Sequence, residues 1–325
     1  ILCGKLAPAL AMGNAVVAKP ASLTPLTALA LSHLAVEAGL PPGTFQVLTG
    51  PGDGVGEALV AHPAVRKVSF TGSTEVGSRI MALAATDITR VSLELGGKSA
   101  NLVFDDLSGD ELDACVASSV WSVFDNAGQD CCARSRMFVQ SRIADAFTER
   151  FVERCRAIRV GDTTDEDTEL GPLITEEQRD TAEAYVAAAE SDGARRRCGG
   201  ERPDLPGHYL TPAVFDRAEP GMRFMREEIF GPVVGIATFE TEDEAVALAN
   251  DSIYGLSGSI WCRDIGRALR VARQVETGML SVNTSSSVHV EAPFGGVKQS
   301  GTGREQGMAA LDHYSELKTV FVAGS

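Results

Sequence analysis

No stretch of the 325-residue sequence reaches the 18 or more apolar residues of a membrane-crossing helix, and no basic segment leads an apolar one at its front. A membrane protein and a signal-bearing one are therefore not expected. Positive charge is scarce: 29 Lys and Arg face 44 Asp and Glu, a net charge of −15 that repels phosphate backbones and anionic membrane surfaces. Nucleic acid and membrane are excluded as expected partners. A disulfide framework is lacking too, since the seven cysteines are odd in number and scattered, and the adjacent Cys131 and Cys132 match neither normal disulfide geometry nor zinc-ligand spacing. No metal site is expected, and a reducing cytoplasm suits these thiols. Internal repeats, low-complexity linkers, G-x-G-x-x-G and the P-loop are also absent. What is there is globular: 44% hydrophobic and 22% charged residues, in a chain long enough for two or three domains.

The first residues, Ile1-Leu2-Cys3-Gly4-Lys5, carry no initiator Met and run into an Ala-rich helical pattern, so the sequence reads as cut from a longer one. From Lys5 to about Phe104, apolar runs at 15–18, 45–48, 67–70 and 90–93 alternate with helical spacing at 24–38, 54–61 and 75–85. That rhythm is the one of parallel strands joined by crossover helices, with strands apolar enough to be buried on both faces. A second alternating region has helices at 111–124, 143–158, 176–191, 242–250 and 265–275, and strands at 137–140, 233–239, 257–261 and 279–283. A surface loop is expected at 199–207. The expected fold is α/β, with two doubly wound Rossmann-like lobes that divide just after Gly96-Gly97.

Several segments could carry chemistry. Asn126-Ala127-Gly128-Gln129-Asp130-Cys131-Cys132 follows a helical pattern and sets a thiol on an irregular, open turn, where a nucleophile is useful. The competing reading is a buried thiol acting as a small hydrophobe. Glu94-Leu95-Gly96-Gly97-Lys98 ends a strand with a carboxylate and two glycines, a candidate base for that nucleophile or a plain surface Glu. Phe70-Thr71-Gly72-Ser73-Thr74 is a strand, a turn and a helix start whose Ser73 or Thr74 can cap, leaving N–H groups for a phosphate or forming an ordinary βα turn. Lys19, in Val16-Val17-Ala18-Lys19-Pro20-Ala21-Ser22, is a solvated charge or a ribose and phosphate contact. Segments 227–232 and 293–301 combine Phe230 and Phe294 with Gly and Pro turns, as pocket walls and core lids both do.

Taken together these segments resemble the aldehyde dehydrogenase superfamily almost from Lys5 to Val322. The resemblance rests on KLAPAL at 5–10, KPAS at 19–22, FTGSTEVG at 70–77, ELGGK at 94–98 and GQDC at 128–131. It continues through EEIFGP at 227–232, PFGGVKQSG at 293–301, GRE at 303–305 and YSELKTV at 314–320. It implies a cofactor-binding domain over 1–96, a catalytic domain over 97–300, a return to the cofactor domain over 301–313 and a C-terminal oligomerisation strand over 314–325. Cys131 would attack an aldehyde, pass a hydride to NAD or NADP and hold a thioester, which a water activated by Glu94 would hydrolyse. By the same resemblance Glu228 holds the nicotinamide ribose, Phe230 packs near the ring, Lys19 holds the adenosine ribose, Gly72 and Ser73 meet the pyrophosphate, and Glu305 is a second, proton-shuttling carboxylate. Glu316 would pair with Arg90 and Arg304, and the protein would be a homodimer or homotetramer.

Two departures carry expectations of their own. Ser22 stands where NAD-preferring relatives often have Glu, which removes a repulsion toward a 2′-phosphate. A Pro-Trp-Asn segment whose Asn donates to the oxyanion would lie just before Ile1, and losing one such donor costs about 10²–10³ in rate. The 325 residues alone are therefore expected to be inactive or aggregation-prone, and their full-length parent a dehydrogenase. The substrate tunnel implied by the resemblance takes in Phe124, Asp125, Asp130, Cys132, Val288 and Phe294. Its two carboxylates would favour a cationic aldehyde, unless they cap turns and point to solvent. A CoA-acylating relative, or an inactive fragment acting as a partner subunit, are the alternative functions.

Overall fold

The structure is a computed structural model that describes residues 1–324. The chain forms two compact units, the first made of Ile1–Leu95, Val288–Gly295 and the C-terminal run from Gly301, the second of Gly96–Ser287 and Gly296–Ser300. The main crossing thus falls between Leu95 and Gly96, and the first unit takes the chain back at Val288–Gly295 and again from Gly301.

In the first unit, α1 (Leu2–Ala11) buries Leu6 and Ala9, a three-residue spacing that places both on one face. β1 (Val16–Ala18) leads through α2 (Leu26–Glu37) to β2 (Phe45–Val47), which pairs with it in parallel. After α3 (Glu57–Val60), β3 (Lys67–Thr71), α4 (Thr74–Ala84) and β4 (Arg90–Glu94) form a second repeat of strand, helix and parallel strand. Ser73 caps α4 by accepting the N–H of Val76 at 3.3 Å, and Gly77, Ile80 and Ala84 face inward at helical spacing. A Cβ on Gly77 would stand 2.6 Å from Leu95 Cδ2, so glycine lets this helix lie close to its own strand end.

The expectation that these strands are buried on both faces fails here. β1 and β3 contain no buried residue, and only the last three residues of β4 are buried. They belong to a two-stranded and a three-stranded sheet, which offer less covered surface than one broad sheet.

Strands buried on both faces occur instead in the second unit. β5 (Ala100–Val103), α5 (Asp110–Phe124), β6 (Arg136–Gln140), α6 (Ser141–Arg156) and α7 (Glu176–Ser191) come first. β7 (Arg195–Cys198), β8 (Ala213–Asp216), α8 (Arg223–Arg226), β9 (Val233–Phe239) and α9 (Glu242–Asn250) follow. β10 (Tyr254–Gly255), β11 (Gly258–Trp261), α10 (Ile265–Ala272), β12 (Ser281–Val282) and β13 (Val297–Lys298) complete the unit. Seven of the strands form one sheet in the order β12-β11-β5-β6-β9-β8-β7, parallel except for the β7–β8 edge pair. On α6, Ala144, Phe147, Phe151 and Cys155 make the inward stripe, with the Phe147 and Phe151 rings stacked at 5.7 Å.

β5, β7 and β8, and the two-residue β10 and β13, escaped the sequence reading. β7 is Arg-Arg-Arg-Cys, a run without strand character, and it holds at the edge because Asp216 on β8 accepts from Arg195 Nε at 2.8 Å and Arg197 Nη1 at 2.5 Å. The tail expected as a strand takes no regular secondary structure over 315–324, and its Leu317 and Phe321 side chains are exposed. Among the described residues no helix is long and apolar enough to cross a membrane.

Candidate active site

In the second unit, α5 ends at Phe124 and the backbone turns left-handed at three successive residues, Asn126 (φ 51°), Ala127 (φ 56°) and Gly128 (φ 72°). Non-glycine residues adopt this region only where the surroundings enforce it. Here Gly128 lies against the next loop: a Cβ on it would stand 2.3 Å from the carbonyl oxygen of Gly231. Side chains brace the turn. Gln129 Oε1 accepts the N–H of Ile174 at 2.9 Å, Asn126 Nδ2 donates to the Gln129 carbonyl at 3.0 Å, and Asp130 Oδ1 accepts the N–H of Cys132 at 2.9 Å. The braced turn leaves Cys131 half-buried and Cys132 buried.

The two sulfurs lie within 4.8 Å of each other. Hydrogen bonding to Cys132, burial, and the carboxylates of Asp130 and Glu228 push the Cys131 thiol up. Cys132 moves down, chiefly as the acceptor of that bond and then with help from the Arg134 charge and the Ser287 hydroxyl. Arg134 is itself buried: Nη1 donates to the Cys132 carbonyl at 2.9 Å, Nε donates to Ser259 Oγ at 3.1 Å, and Nη2 has no hydrogen-bond partner.

Gly96 and Gly97 are seated against this centre. A Cβ on Gly97 would fall 2.2 Å from the carbonyl oxygen of Cys131, and one on Gly96 would fall 2.2 Å from Glu228 Oε2. The N–H of Gly97 donates to Glu228 Oε1 at 3.0 Å. Burial raises the Glu228 carboxyl, with the Gly97 hydrogen bond and Lys98 opposing. Phe230, on the same loop, has φ 54°, is 40% exposed, and is held by Gln178 Nε2 on its carbonyl at 2.9 Å. Ser300 locks the glycines from behind, donating to the Gly96 carbonyl at 2.6 Å and accepting the N–H of Gly255 at 3.0 Å. Lys98 is wholly buried and burial pulls it down to about 7; its Nζ, Ser99 Oγ and Ser257 Oγ line one small cavity without hydrogen-bond partners.

In the first unit, Glu94 is buried at the end of β4, opposite Gly301 of the antiparallel β14 (Gly301–Thr302). A Cβ on Gly301 (φ 137°) would stand 2.0 Å from the Leu93 carbonyl oxygen, and one on Gly295 would stand 2.8 Å from Glu94 Oε1. Glu305 is buried and accepts from Lys5 Nζ and, at 3.2 Å, from Ser69 Oγ. Lys19 Nζ donates to the carbonyls of Pro20 at 2.7 Å and Gly50 at 3.3 Å, and Ser22 Oγ donates to the same Gly50 carbonyl at 3.4 Å. Both therefore gather where β1 and β2 end. Gly72 and Ser73 are exposed at the start of α4. Arg90 meets Glu316 at 3.5 Å in an exposed pair worth little, while Arg304 Nη1 donates to the Gly303 carbonyl at 2.7 Å.

The tunnel set divides. Phe124 is fully buried with its ring 6.2 Å from that of Phe151, which makes it core packing instead of a tunnel wall. Asp125 and Asp130 are exposed, and each accepts a backbone N–H, Asp125 from Asn126 at 3.0 Å. Both therefore cap turns. Val288 is exposed, and Phe294 exchanges backbone hydrogen bonds with Glu305 at 2.6 and 2.7 Å. Lys5, Ser69, Lys98, Arg134 and Ser300 were missed. Lys5, Lys98 and Ser300 lie inside motifs already singled out, but nothing local marks a partner 300 positions from Lys5 or 204 from Ser300.

The aldehyde dehydrogenase family model matches residues 1–320. Betaine aldehyde dehydrogenase of Cereibacter sphaeroides is 46% identical over 322 residues, covering 99% of this chain and 66% of its own length. That of Brucella melitensis is 47% identical over 326 residues, with the same two shares of 99% and 66%. The structure of a Staphylococcus aureus betaine aldehyde dehydrogenase in complex with NAD+ superposes with a TM-score of 0.93 at 42% identity, covering 96% of this chain and 62% of that one. The chain spans about two thirds of the length of the curated relatives it matches. With the motifs in order and the α/β fold in common, the chain belongs to the aldehyde dehydrogenase family.

Proposed function

We propose that the protein oxidises an aldehyde to a carboxylic acid with a nicotinamide dinucleotide as electron acceptor. The observation that carries this reading is the braced turn that presents the half-buried Cys131 against Gly97 and beside Glu228. The residues present fit a dinucleotide. Lys19 and Ser22 converge on one carbonyl where β1 and β2 end, α4 begins at an exposed Gly72-Ser73 turn, and Glu228 holds a carboxylate over the two glycines. Lys19 and Ser22 would hold the adenosine ribose, Gly72 and Ser73 the pyrophosphate, Glu228 the nicotinamide ribose, and Phe230 would pack on the ring. NADP is accepted beside NAD, because Ser22 brings no negative charge to the 2′ position. When bound, the nicotinamide supplies the acceptor for the electrons that leave the aldehyde carbon.

The chain's own part is nucleophilic and acid–base. Cys131 loses its proton and its sulfur adds to the carbonyl carbon; after oxidation the same sulfur carries the acyl group as a thioester. Glu94 takes a proton from water, the resulting hydroxide adds to the thioester carbon, and the sulfur leaves as the acid forms. Glu305, held by Lys5 and Ser69, passes the proton outward.

The aldehyde is a cation of the quaternary or primary ammonium class. The support for this class is that the named relatives are betaine aldehyde dehydrogenases, while the exposed Asp125 and Asp130 cap turns and lend it none. The exposed apolar side chains of Leu317 and Phe321 in the tail fit a homo-oligomer. The test is dinucleotide reduction by the full-length parent with betaine aldehyde against its neutral isostere 3,3-dimethylbutanal. Turnover should require Cys131, vanish in Cys131→Ser, and favour the cation about tenfold or more in kcat/KM. Equal values for the two aldehydes remove the preference for a cation, and full activity in Cys131→Ser removes the reaction.

A further inference from the structure

Two sulfurs and a carboxylate oxygen, from Cys131, Cys132 and Asp130, all lie within 4.8 Å of one another. We propose that this trio chelates the trivalent hydroxides of arsenic or antimony through both sulfurs, with the third position filled by Asp130 or a retained hydroxide.

The donor set argues for that class. Thiolate sulfur selects soft acceptors. No fourth His, Cys, Asp or Glu joins the group among the described residues, whereas a structural zinc takes four ligands. Three donors fit a three-coordinate pyramidal centre. The site opens to solvent on one side, since Asp130 is exposed, Cys131 is half-buried and Cys132 lies at the bottom. A small neutral oxyacid suits this opening. Charge is balanced as well: the buried Arg134, whose Nη1 holds the Cys132 carbonyl and whose Nη2 has no hydrogen-bond partner, offsets the Asp130 carboxylate. The braced turn supplies the preorganisation, because the Asp130–Cys132 hydrogen bond and the left-handed residues before it fix the three donors on one short loop.

The exchange balances without redox chemistry. Each sulfur displaces one hydroxide from As(OH)₃, so two As–S bonds form and two As–O bonds break; where Asp130 takes the third position, its carboxylate forms an As–O bond as the last hydroxide leaves. The two thiol protons leave with those hydroxides as two waters, and arsenic stays trivalent. The chelate caps Cys131 but does not depend on any turnover by it.

The experiment incubates the purified protein with sodium arsenite, removes the excess and counts bound arsenic and free thiols by native mass spectrometry and thiol titration. The wild type should keep one arsenic and lose two titratable thiols, and 2,3-dimercaptopropanol should restore both where mercaptoethanol does not. Cys131→Ser and Cys132→Ser should each weaken retention tenfold or more. Cys155 and Cys198 form the other pair close enough to influence each other, so Cys155→Ser is the control and should bind as the wild type does. Wild-type retention in Cys132→Ser, loss in Cys155→Ser, or no arsenic on the wild type would each overturn the proposal.

Discussion

Replacing Gly97 by alanine puts the seating of the nucleophile to a direct test. The new Cβ would stand 2.2 Å from the carbonyl oxygen of Cys131, where real Cβ atoms approach no closer than 3.0 Å. At least 3.0 − 2.2 = 0.8 Å must therefore be found. The obstacle is backbone, so a flexible side-chain tip cannot yield. Gly97 does not have positive φ, and the whole effect is steric. Overpacking of this kind costs about 1–3 kcal/mol of stability. The larger effect falls on rate: a displacement of about 1 Å at a reacting group costs about 10²-fold. The assay pairs aldehyde-dependent dinucleotide reduction with iodoacetamide alkylation of Cys131. Gly97→Ala should lose about 10²-fold in kcat, alkylate more slowly and still fold. Gly96→Ala is the contrast, because its Cβ would meet the carboxyl end of Glu228, with Oε2 at 2.2 Å and Cδ at 2.9 Å, a side-chain end that can shift where backbone cannot. Losing that carboxylate's placement should raise the dinucleotide KM about tenfold with kcat and alkylation near wild type. A folded Gly97→Ala protein with wild-type kcat and alkylation would refute the reasoning.

Two further outcomes follow from single side chains. Lys98 has a folded pKa near 7 against 10.5 for the ordinary group, so between those values the unfolded chain binds the extra proton and stability should rise with pH. Thermal melts from neutral to alkaline pH should show this rise in the wild type and lose it in Lys98→Met; identical pH slopes in the two proteins would contradict the burial argument. Ser22→Glu should cut the kcat/KM ratio for NADP over NAD about tenfold or more, by setting a carboxylate beside the Gly50 carbonyl where a 2′-phosphate would lie. An unchanged ratio would show that position 22 does not govern cofactor choice.

The alternation of apolar runs with helical spacing was enough to read an α/β chain, and most helix bounds follow from it; residues 176–191, for example, match α7. Where the reading failed, a tertiary partner decides the local structure. β7 exists because Asp216 on the neighbouring strand neutralises Arg195 and Arg197, and no window of the sequence around Arg195 contains that carboxylate. The strands of the first unit looked as apolar as those of the second, yet their burial depends on how many layers cover them, a property of the sheet rather than of the strand. At the site, the Gly, Asn and Asp around Cys131 signalled an open turn, and Gly96-Gly97 signalled a close approach. The same letters do not say what approaches, and it is the Cys131 carbonyl and the Glu228 carboxylate. Phe124 shows the opposite error, since an aromatic seven positions before Cys131 is core, packed against Phe151 from another helix. Lys5 and Glu305 meet across 300 positions, beyond the reach of any local pattern.

The central claim is a division of labour, with Cys131 carrying the acyl group and Glu94 releasing it. Glu94→Gln keeps the shape of the side chain and removes the base. Mixed with aldehyde and dinucleotide, then quenched and digested, this variant should show the peptide bearing Cys131 acylated, with one reduced dinucleotide per site and little further turnover. An unmodified Cys131, an acyl group on another residue, or continued turnover at the wild-type rate would contradict the account.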